Sequence, residues 1–238
     1  MPAGALERAV GLLHHLGEQP AEVTVAALAT EAGMPTSTAY RLLAELEQLG
    51  LVSRAGNTVA LGTRLVALGR TAEAGLRERV VEPAEPVMTE LSRQTAETVI
   101  LTAPCALEAI VLHVVETEVH SVRLSYAVFR RGPIHRGASG KVLAAFLDAP
   151  ERRRLLDAVS DPRLAGELEQ IRGAGFVMTV SELDEGAAAV AAPILDRRGR
   201  LIAGLSIAGP AQRIVADATR LAASVRAAAA RIERLHHV

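Results

Sequence analysis

The residues best suited to contact a nucleic acid lie in one stretch, residues 35–50. At 3.6 residues per turn, one side of a helix over this stretch is apolar and the other begins with small hydroxyl side chains, followed by Arg41. Hydroxyl groups and an arginine can contact base edges and phosphates. The apolar side consists of Ala39, Leu42, Leu43, Leu46 and Leu49. An ordinary amphipathic surface helix has the same pattern, so the neighbouring elements decide between the two interpretations.

Those neighbours predict a winged helix-turn-helix. Apolar residues at helical spacing predict a first helix ending at Gly17, and Thr24 can cap a second helix that ends at Gly33. A tight turn then leads into residues 35–50, which is the helix-turn-helix arrangement. Residues 51–54 and 58–61 predict two short strands joined by a turn, and such a hairpin forms a wing.

In a winged helix the N-terminal half of the third helix enters the major groove. We therefore expect Ser37, Tyr40 and Arg41 to face base edges. Thr36 and Thr38 are placed to bind phosphates, and Arg54 lies near the wing, where it could meet a phosphate or the minor groove. A winged-helix module that binds another protein is the alternative.

The charge of this region limits how it could bind DNA. Residues 1–75 contain five arginines and seven glutamates, a net charge of −2. Bulk electrostatic attraction to phosphates is therefore unavailable, and a second copy on the same DNA would be needed.

Composition restricts the class of protein further. The chain has 238 residues, half of them apolar, and a formal net charge of −1, which disfavours a protein that coats nucleic acid indiscriminately. A single cysteine, Cys105, excludes an intrachain disulfide and is expected to be a small buried thiol. Neither a signal peptide nor a run long enough to span a membrane is found, so we expect a cytoplasmic protein without membrane association.

Three segments are predicted: a DNA-binding domain at 1–62, a linker helix at 63–78 and a second domain at 79–238. Pro83 and Pro86 are expected to break the linker helix. The linker could dimerise or transmit movement, or it could be a plain connector.

The second domain shows the pattern of an α+β fold with a mainly antiparallel sheet. Strands are predicted at 98–103, 109–115, 119–124, 176–180, 188–195 and 201–208. Helices are predicted at 87–93, from 137 through 146, at 150–159 and 162–172, and as one long closing helix over 210–237. Residues 130–133 are expected to form a basic loop.

The sequence gives little support for a catalytic, metal or cofactor site. The sequence GASGK lacks the first glycine and the Ser/Thr of a phosphate loop. Its helix start could bind a small carboxylate or be a simple capped terminus. Ser139 lacks a nucleophile motif, the spacing of His113, His120 and His135 matches no metal site, and no cofactor is predicted. Glu97 would need a partner if it points inward, and Arg123 is one candidate.

Small residues are concentrated at 186–193, and Ser206 lies on the partner strand of a hairpin. Such a strand leaves room for a small-molecule pocket, or it allows a helix to pack tightly on the sheet.

Nearly the whole chain resembles the IclR-type (isocitrate lyase regulator) transcription factors. The resemblance is carried, in order, by ALERAVGLLHHL, VAALATEAGMPTSTAYRLLAELEQLGLV, RRGPIHRGASGKVLAAFL and GFVMTVSELDEGAAAVAAPILDRRGRLIAGLSIAGPAQR. It implies an N-terminal winged helix, a linker helix and an effector-binding domain similar to GAF folds. It also implies homodimers, often pairs of dimers, on palindromic or repeated DNA operators.

The resemblance also implies which residues bind an effector: Leu124, Gly132, Ala138, Ser139, Thr179, Ala187, Ala189, Ser206 and Ala208. Members known for small oxoacids often carry an acidic residue in place of Thr179 and a serine in place of Ala208. The floor of the site is therefore expected to be less polar here, which favours a larger aromatic or aliphatic acid.

Together these observations predict a sequence-specific transcriptional regulator whose operator binding a small organic effector modulates. The alternatives are an enzyme on the C-terminal domain with an appended winged helix, and a winged-helix scaffold without an effector.

Overall fold

The chain divides into two compact units, Met1–Gly75 and Leu76–Val238. The computed structural model describes residues 4–19 and 22–235. The first unit contains α1 (Ala5–Glu18), β1 (Val23–Thr24), α2 (Val25–Glu31), α3 (Thr36–Gln48), β2 (Val52–Ala55), β3 (Thr58–Leu61) and α4 (Thr63–Leu76). Its three strands pair in the antiparallel order β1-β3-β2, so the predicted wing has a short third strand that sequence patterning missed.

Local signals define the ends of α2 and α3. Ala27 N–H donates to Oγ1 of Thr24 at 3.2 Å, which caps α2 as expected. Both helices end at a glycine with positive φ, Gly33 at +61° and Gly50 at +71°. At each end the next amide donates to a carbonyl five residues back, from Met34 to Ala29 and from Leu51 to Leu46, which is the Schellman motif.

Gly62 joins the wing to α4 where only a glycine fits. Its N–H donates to the carbonyl of Leu51 at 2.8 Å. A Cβ at this position would collide with the carbonyl of Gly50 and with the backbone at 51–52. The close approach holds the second strand of the hairpin against the end of α3.

The second unit begins with a continuous helical run rather than a break. Leu76 is followed by a π-helical turn (Arg77–Val81) and by α5 (Glu82–Thr95). The expected break at Pro83 and Pro86 was therefore wrong. Pro83 lies in the first turn of α5, where proline is best tolerated, and burial of apolar side chains on α5 offsets the hydrogen bond lost at Pro86.

Six antiparallel strands form the sheet of the second unit, in the order β6-β5-β4-β9-β8-β7. They are β4 (Thr98–Cys105), β5 (Glu108–Val115), β6 (Arg131–Pro133), β7 (Val177–Val180), β8 (Ala187–Leu195) and β9 (Leu201–Pro210). The accompanying helices are α6 (Gly137–Phe146), α7 (Ala149–Ala158), α8 (Leu164–Ala174), α9 (Ala211–Ala216) and α10 (Ala218–Leu235). The predicted α+β class is confirmed.

Two predicted elements of this unit were wrong. Residues 119–124 are not a strand, because β6 takes the open edge of β5; Val119 and Val122 are about 70 % exposed instead. Part of the expected basic loop is therefore the strand β6. The closing helix is interrupted at Asp217, whose φ of −121° leaves the helical region, and whose carboxylate accepts bonds from Arg220. The last two residues of that predicted helix lie outside the described residues.

Helices cover both faces of the sheet. On one face α5 and α10 pack around a core that includes Met88, Leu205 and Ile207. On the other face α6 and α8 pack around Val142, Leu143 and other apolar residues. This second face also carries the open space described below.

Candidate functional site

The exposed surface of the first unit includes the start of α3. Thr36, Ser37, Tyr40 and Arg41 are exposed and Thr38 is half-buried, all within its first two turns. On the opposite side Ala39, Leu42, Leu43 and Leu46 are buried. Leu49 is an exception to the predicted apolar face, because it caps the C-terminus of α3 and is 52 % exposed.

Two arginines of this surface are held in different ways. Arg41 donates to Glu45 one turn later at 2.8 Å, and both side chains are more than half exposed. Arg54, on β2, lies over the ring of Tyr40, with its guanidinium carbon 5.4 Å from the ring centroid. Its Nη1 lies 3.7 Å from Oε2 of Glu47. Arg54 is therefore a half-buried support for Tyr40 rather than a free charge at the wing tip.

A cavity of about 170 Å³ opens on the second unit, between the sheet and the start of α6. Seven of the nine predicted effector residues line it: Gly132, Ala138, Ser139, Thr179, Ala187, Ala189 and Ala208. Leu124 does not line it but packs in a small cluster with Ile100, Val111 and Ala208. Ser206 is fully buried beneath it, and its hydroxyl shares a 2.8 Å hydrogen bond with Ser139.

The floor of the cavity exists because small side chains are aligned across three strands. Thr179 on β7 pairs with Ala189 on β8, which pairs with Ala208 on β9. Each of these side chains is short, so space remains above the row. The neighbouring Ala191 and Ala192 are fully buried in packing. The alanine-rich strand therefore leaves space for the cavity at some positions and allows close packing at others.

Polar groups surround this apolar floor on the rim of the cavity, which we define as Arg130, Arg131, Arg136, Glu182 and Asp184. Sequence reasoning did not place these residues beside the cavity, although it noted the basic loop that contains Arg130 and Arg131. Arg131 pairs with Glu108 at 3.0 Å, and Nη2 of Arg136 donates to the carbonyl of Glu182 at 2.5 Å.

Tyr126 was also missed. Its hydroxyl lies 3.4 Å from Asp184, and the guanidinium carbon of Arg130 lies 5.3 Å from its ring centroid. Burial, together with the nearby Asp184 carboxylate, raises the pKa of Tyr126 to about 12. The phenol therefore keeps its proton, which faces the Asp184 carboxylate, above the pH at which an ordinary tyrosine ionises.

Lys141 on α6 is buried between two carboxylates. Its ammonium donates to Glu167 of α8 at 2.6 Å and to Glu182 at 2.7 Å. Burial opposes the charged form, but the two hydrogen bonds outweigh it, and the pKa of Lys141 is raised. The other carboxylate oxygen of Glu182 accepts the N–H of Gly137, so the expected anion position at the start of α6 holds a side chain of the chain itself.

The other candidate residues from the sequence do not form a catalytic or metal site in the part of the chain that the structure describes. Ser139 is bonded to Ser206 rather than to a histidine, and within residues 4–19 and 22–235 no group of histidine, cysteine and acidic residues is arranged to hold a metal. Cys105 is exposed at the end of β4, so the expectation of a buried thiol was wrong. Glu97 pairs with Arg213 at 2.5 and 2.9 Å, whereas the suggested partner, Arg123, pairs with Glu116.

A winged helix followed by an α+β domain with a cavity is the architecture expected of a DNA-binding transcriptional regulator. The sequence matches the IclR helix-turn-helix domain over residues 5–56 and the bacterial transcriptional regulator IclR C-terminal domain over residues 76–234. The chain therefore belongs to the IclR family of transcriptional regulators, and it is not an enzyme.

Similar proteins span almost the same length. The HTH-type transcriptional regulator KdgR of Escherichia coli K12 is 33 % identical over 216 residues, which cover 85 % of this chain and 81 % of that protein. The transcriptional repressor IclR of the same strain is 29 % identical, over 90 % of this chain and 82 % of its own.

Solved structures agree with the fold. A regulator from Silicibacter superposes with a TM-score of 0.80 at 22 % identity, covering 98 % of this chain and 96 % of that chain. An IclR homologue from Microbacterium hydrocarbonoxydans, solved in complex with 4-hydroxybenzoate, has a TM-score of 0.68 at 26 % identity, covering 98 % of this chain and 99 % of that chain.

Among the described residues no helix is long and apolar enough to cross a membrane.

Proposed function

We propose that this regulator binds a specific DNA operator through α3 and that a small organic effector, bearing a carboxylate, modulates this binding from the cavity. The observation that carries the proposal is the cavity itself, with its apolar floor and its rim of arginines. Concave sites with few, well-placed polar groups are typical of small-molecule binding. The proposed place of action is the cytoplasm, where the operator DNA lies.

The exposed start of α3 supports the DNA-binding role. Arg41 lies in the first half of the helix and pairs with the exposed Glu45, an ion pair that contributes little net stability. We propose that Arg41 reads a base, together with Ser37 and Tyr40, while Thr36 and Thr38 contact phosphates. Arg54 would act mainly by orienting Tyr40.

A homodimer, or a pair of dimers, is part of the proposal. The net charge of −2 over residues 1–75 gives one copy little attraction for DNA. Helix α4 has no buried residue, and it exposes Val66 by 61 % and Leu68 by 56 %. Apolar side chains exposed along a helix are covered best by a second copy of the chain.

The character of the cavity favours an aromatic or aliphatic acid. Thr179, Ala189 and Ala208 give a floor with one hydroxyl and no charge. Arginines lie at the rim, where they could bind an effector carboxylate that remains partly hydrated. The Microbacterium relative was solved with 4-hydroxybenzoate, an acid of this class. An effector acts only if it binds one of two arrangements of the dimer more tightly than the other.

The decisive experiment uses the full-length chain. DNA selected by the protein from a random pool defines the operator, and a library of small acids is screened by thermal shift. Each compound that shifts the melting temperature is then titrated into the protein–operator complex in an anisotropy assay. We expect aromatic or aliphatic acids to shift both melting and operator affinity.

Two outcomes would contradict the proposal. Selection of no DNA sequence above the starting pool would remove the operator-binding role. Tight calorimetric binding only to acids the size of glyoxylate or pyruvate would remove the proposed effector class, although the regulator could still bind an effector.

A further inference from the structure

The loop between β7 and β8, residues 181–186, forms one side of the cavity. Glu182, Leu183 and Asp184 line the space, and none of the six residues is buried. The loop therefore has no hydrophobic core of its own. Segments held by few apolar contacts open locally at a lower free energy than the rest of a domain.

Polar contacts at Glu182 attach this loop to α6. One carboxylate oxygen accepts from Lys141 at 2.7 Å, and the other accepts from the N–H of Gly137 at 3.0 Å. The side chain of Arg136 donates to the carbonyl of the same residue. Leu183 lies directly over Gly137, so that a Cβ there would come within 2.5 Å of its Cδ1.

The second attachment is weaker. Asp184 lies 3.4 Å from the hydroxyl of Tyr126 and 3.9 Å from the guanidinium of Arg130. Hydrogen bonds weaken at such distances, so Glu182 supplies most of the attachment. Lys141 itself stays anchored, because Glu167 of α8 holds it independently at 2.6 Å.

The ends of the loop have the geometry of hinges. Ser181 has φ of +55° and Gly186 has φ of +73°, both in the left-handed region. Their positions are fixed by Ser181 N–H, which donates to the carbonyl of Ala187, and by the carbonyl of Gly186, which accepts from Ala211. Both ends of the loop are thus held by backbone hydrogen bonds, so movement would be confined to the residues between them.

We propose that residues 181–186 are a gate over the cavity and that the Lys141–Glu182 ion pair keeps it closed. The inference rests on the proposed function only in taking the cavity as the effector site. Lys141 and Glu182 then act as positioning residues that set how fast an effector enters and leaves.

Hydrogen exchange of the full-length protein tests the gate without any ligand. Glu182→Gln removes the charge that pairs with Lys141, and Glu185→Gln is the matched control, an exposed glutamate of the same loop. Within residues 181–187 the amide that reports on the middle of the loop is that of Ala187, which donates to the carbonyl of Asp184 at 3.2 Å. We expect its exchange to accelerate at least ~10-fold in E182Q, since charge-assisted hydrogen bonds are lost, and to stay at the wild-type rate in E185Q.

A second readout uses the fact that Lys141 is the only lysine of the chain. An amine-reactive acylating reagent modifies this lysine, and mass spectrometry of the peptide that contains it measures the rate. We expect this rate to increase in E182Q and in E167Q. Only E182Q should also accelerate exchange at 181–187, because Glu167 holds Lys141 but not the loop. A merely structural pair would loosen the whole domain instead.

The gate is overturned if exchange at 181–187 is unchanged in E182Q, or if it rises equally in β8 and β9. It is also overturned if E167Q opens the loop as much as E182Q. A ligand screen without hits would count against the proposed function and would leave these exchange results unaffected, so the two failures are distinguishable.

Discussion

Ser139 and Ser206 share a hydrogen bond of 2.8 Å, although only Ser139 lines the cavity. Ser206 lies beneath it on β9, fully buried, and its hydroxyl also lies 3.4 Å from the carbonyl of Ile100. The hydroxyl in the cavity wall is therefore oriented by a residue that lies outside the cavity lining.

This pair predicts coupled effects of substitution. Ser206→Ala should lower the free energy of unfolding by about 1 kcal/mol, the usual net contribution of one hydrogen bond. It should also weaken the binding of effectors that contact Ser139, although it removes no contact with them. A double-mutant cycle of S139A and S206A, measured by thermal unfolding and by calorimetry with a screened acid, tests this. Additive effects of the two substitutions would show that the residues act independently.

The role of Arg41 can be separated from its pairing with Glu45. Arg41→Ala should weaken specific operator binding by about 1–3 kcal/mol, roughly 5- to 150-fold, and leave unfolding and effector binding unchanged. Anisotropy with selected operator DNA measures this.

Glu45→Gln is the matched control, because it releases Arg41 and removes a negative charge near the DNA. Operator binding should be equal to that of the wild type or stronger. If E45Q weakened binding as much as R41A, the ion pair rather than a base contact would be responsible.

Substitution of alanine for glycine should have opposite effects on stability at two positions of the first unit. Gly62→Ala should destabilise the winged helix by about 3 kcal/mol or more, because the new Cβ meets backbone atoms that cannot move aside. Gly69→Ala in α4 meets nothing within 4 Å and should stabilise the helix by about 0.5–1 kcal/mol. Thermal unfolding of the full-length protein distinguishes them, and equal melting temperatures for both variants would contradict the packing described at Gly62.

The raised pKa of Tyr126 predicts a loss of stability at high pH. An unfolded tyrosine ionises near pH 10, whereas the folded chain keeps this proton until about pH 12. The contribution is therefore fully present below pH 10 and is lost as the pH rises toward 12, by on the order of 1–2 kcal/mol.

Denaturant unfolding at a series of pH values, compared with Tyr126→Phe, measures this dependence. The chain has two tyrosines and no tryptophan, so tyrosinate absorbance reports directly on ionisation. Parallel pH dependence in wild type and variant would exclude the assignment.

The elements of the first unit could be predicted because their signals are local. Thr24 caps α2, Gly33 and Gly50 end two helices, and the hairpin turn contains Gly56, with φ of +63°. Strand β1 was missed because two residues carry no periodicity, and only pairing with β3 makes them a strand.

The second unit was predicted less completely because its defining contacts are distant in sequence. Glu97 and Arg213 are 116 residues apart, and no spacing rule joins them. A strand was predicted at 119–124, but the edge of the sheet next to β5 is formed by β6 instead. For the cavity, alanines and glycines indicated free space, whereas the charged rim depends on a loop whose path only the folded chain defines.

The two outer strands of the sheet are much shorter than the inner ones. β6 has three residues and β7 has four, against nine in β8 and ten in β9. Long exposed edges invite pairing with another chain and lead to aggregation, and short edges avoid it. Gly132 of β6 and Thr179 of β7 also line the cavity. The same short strands thus offer little open edge for pairing with another chain and also border the cavity. We therefore expect variants that extend either edge strand to be less soluble and to have an altered cavity.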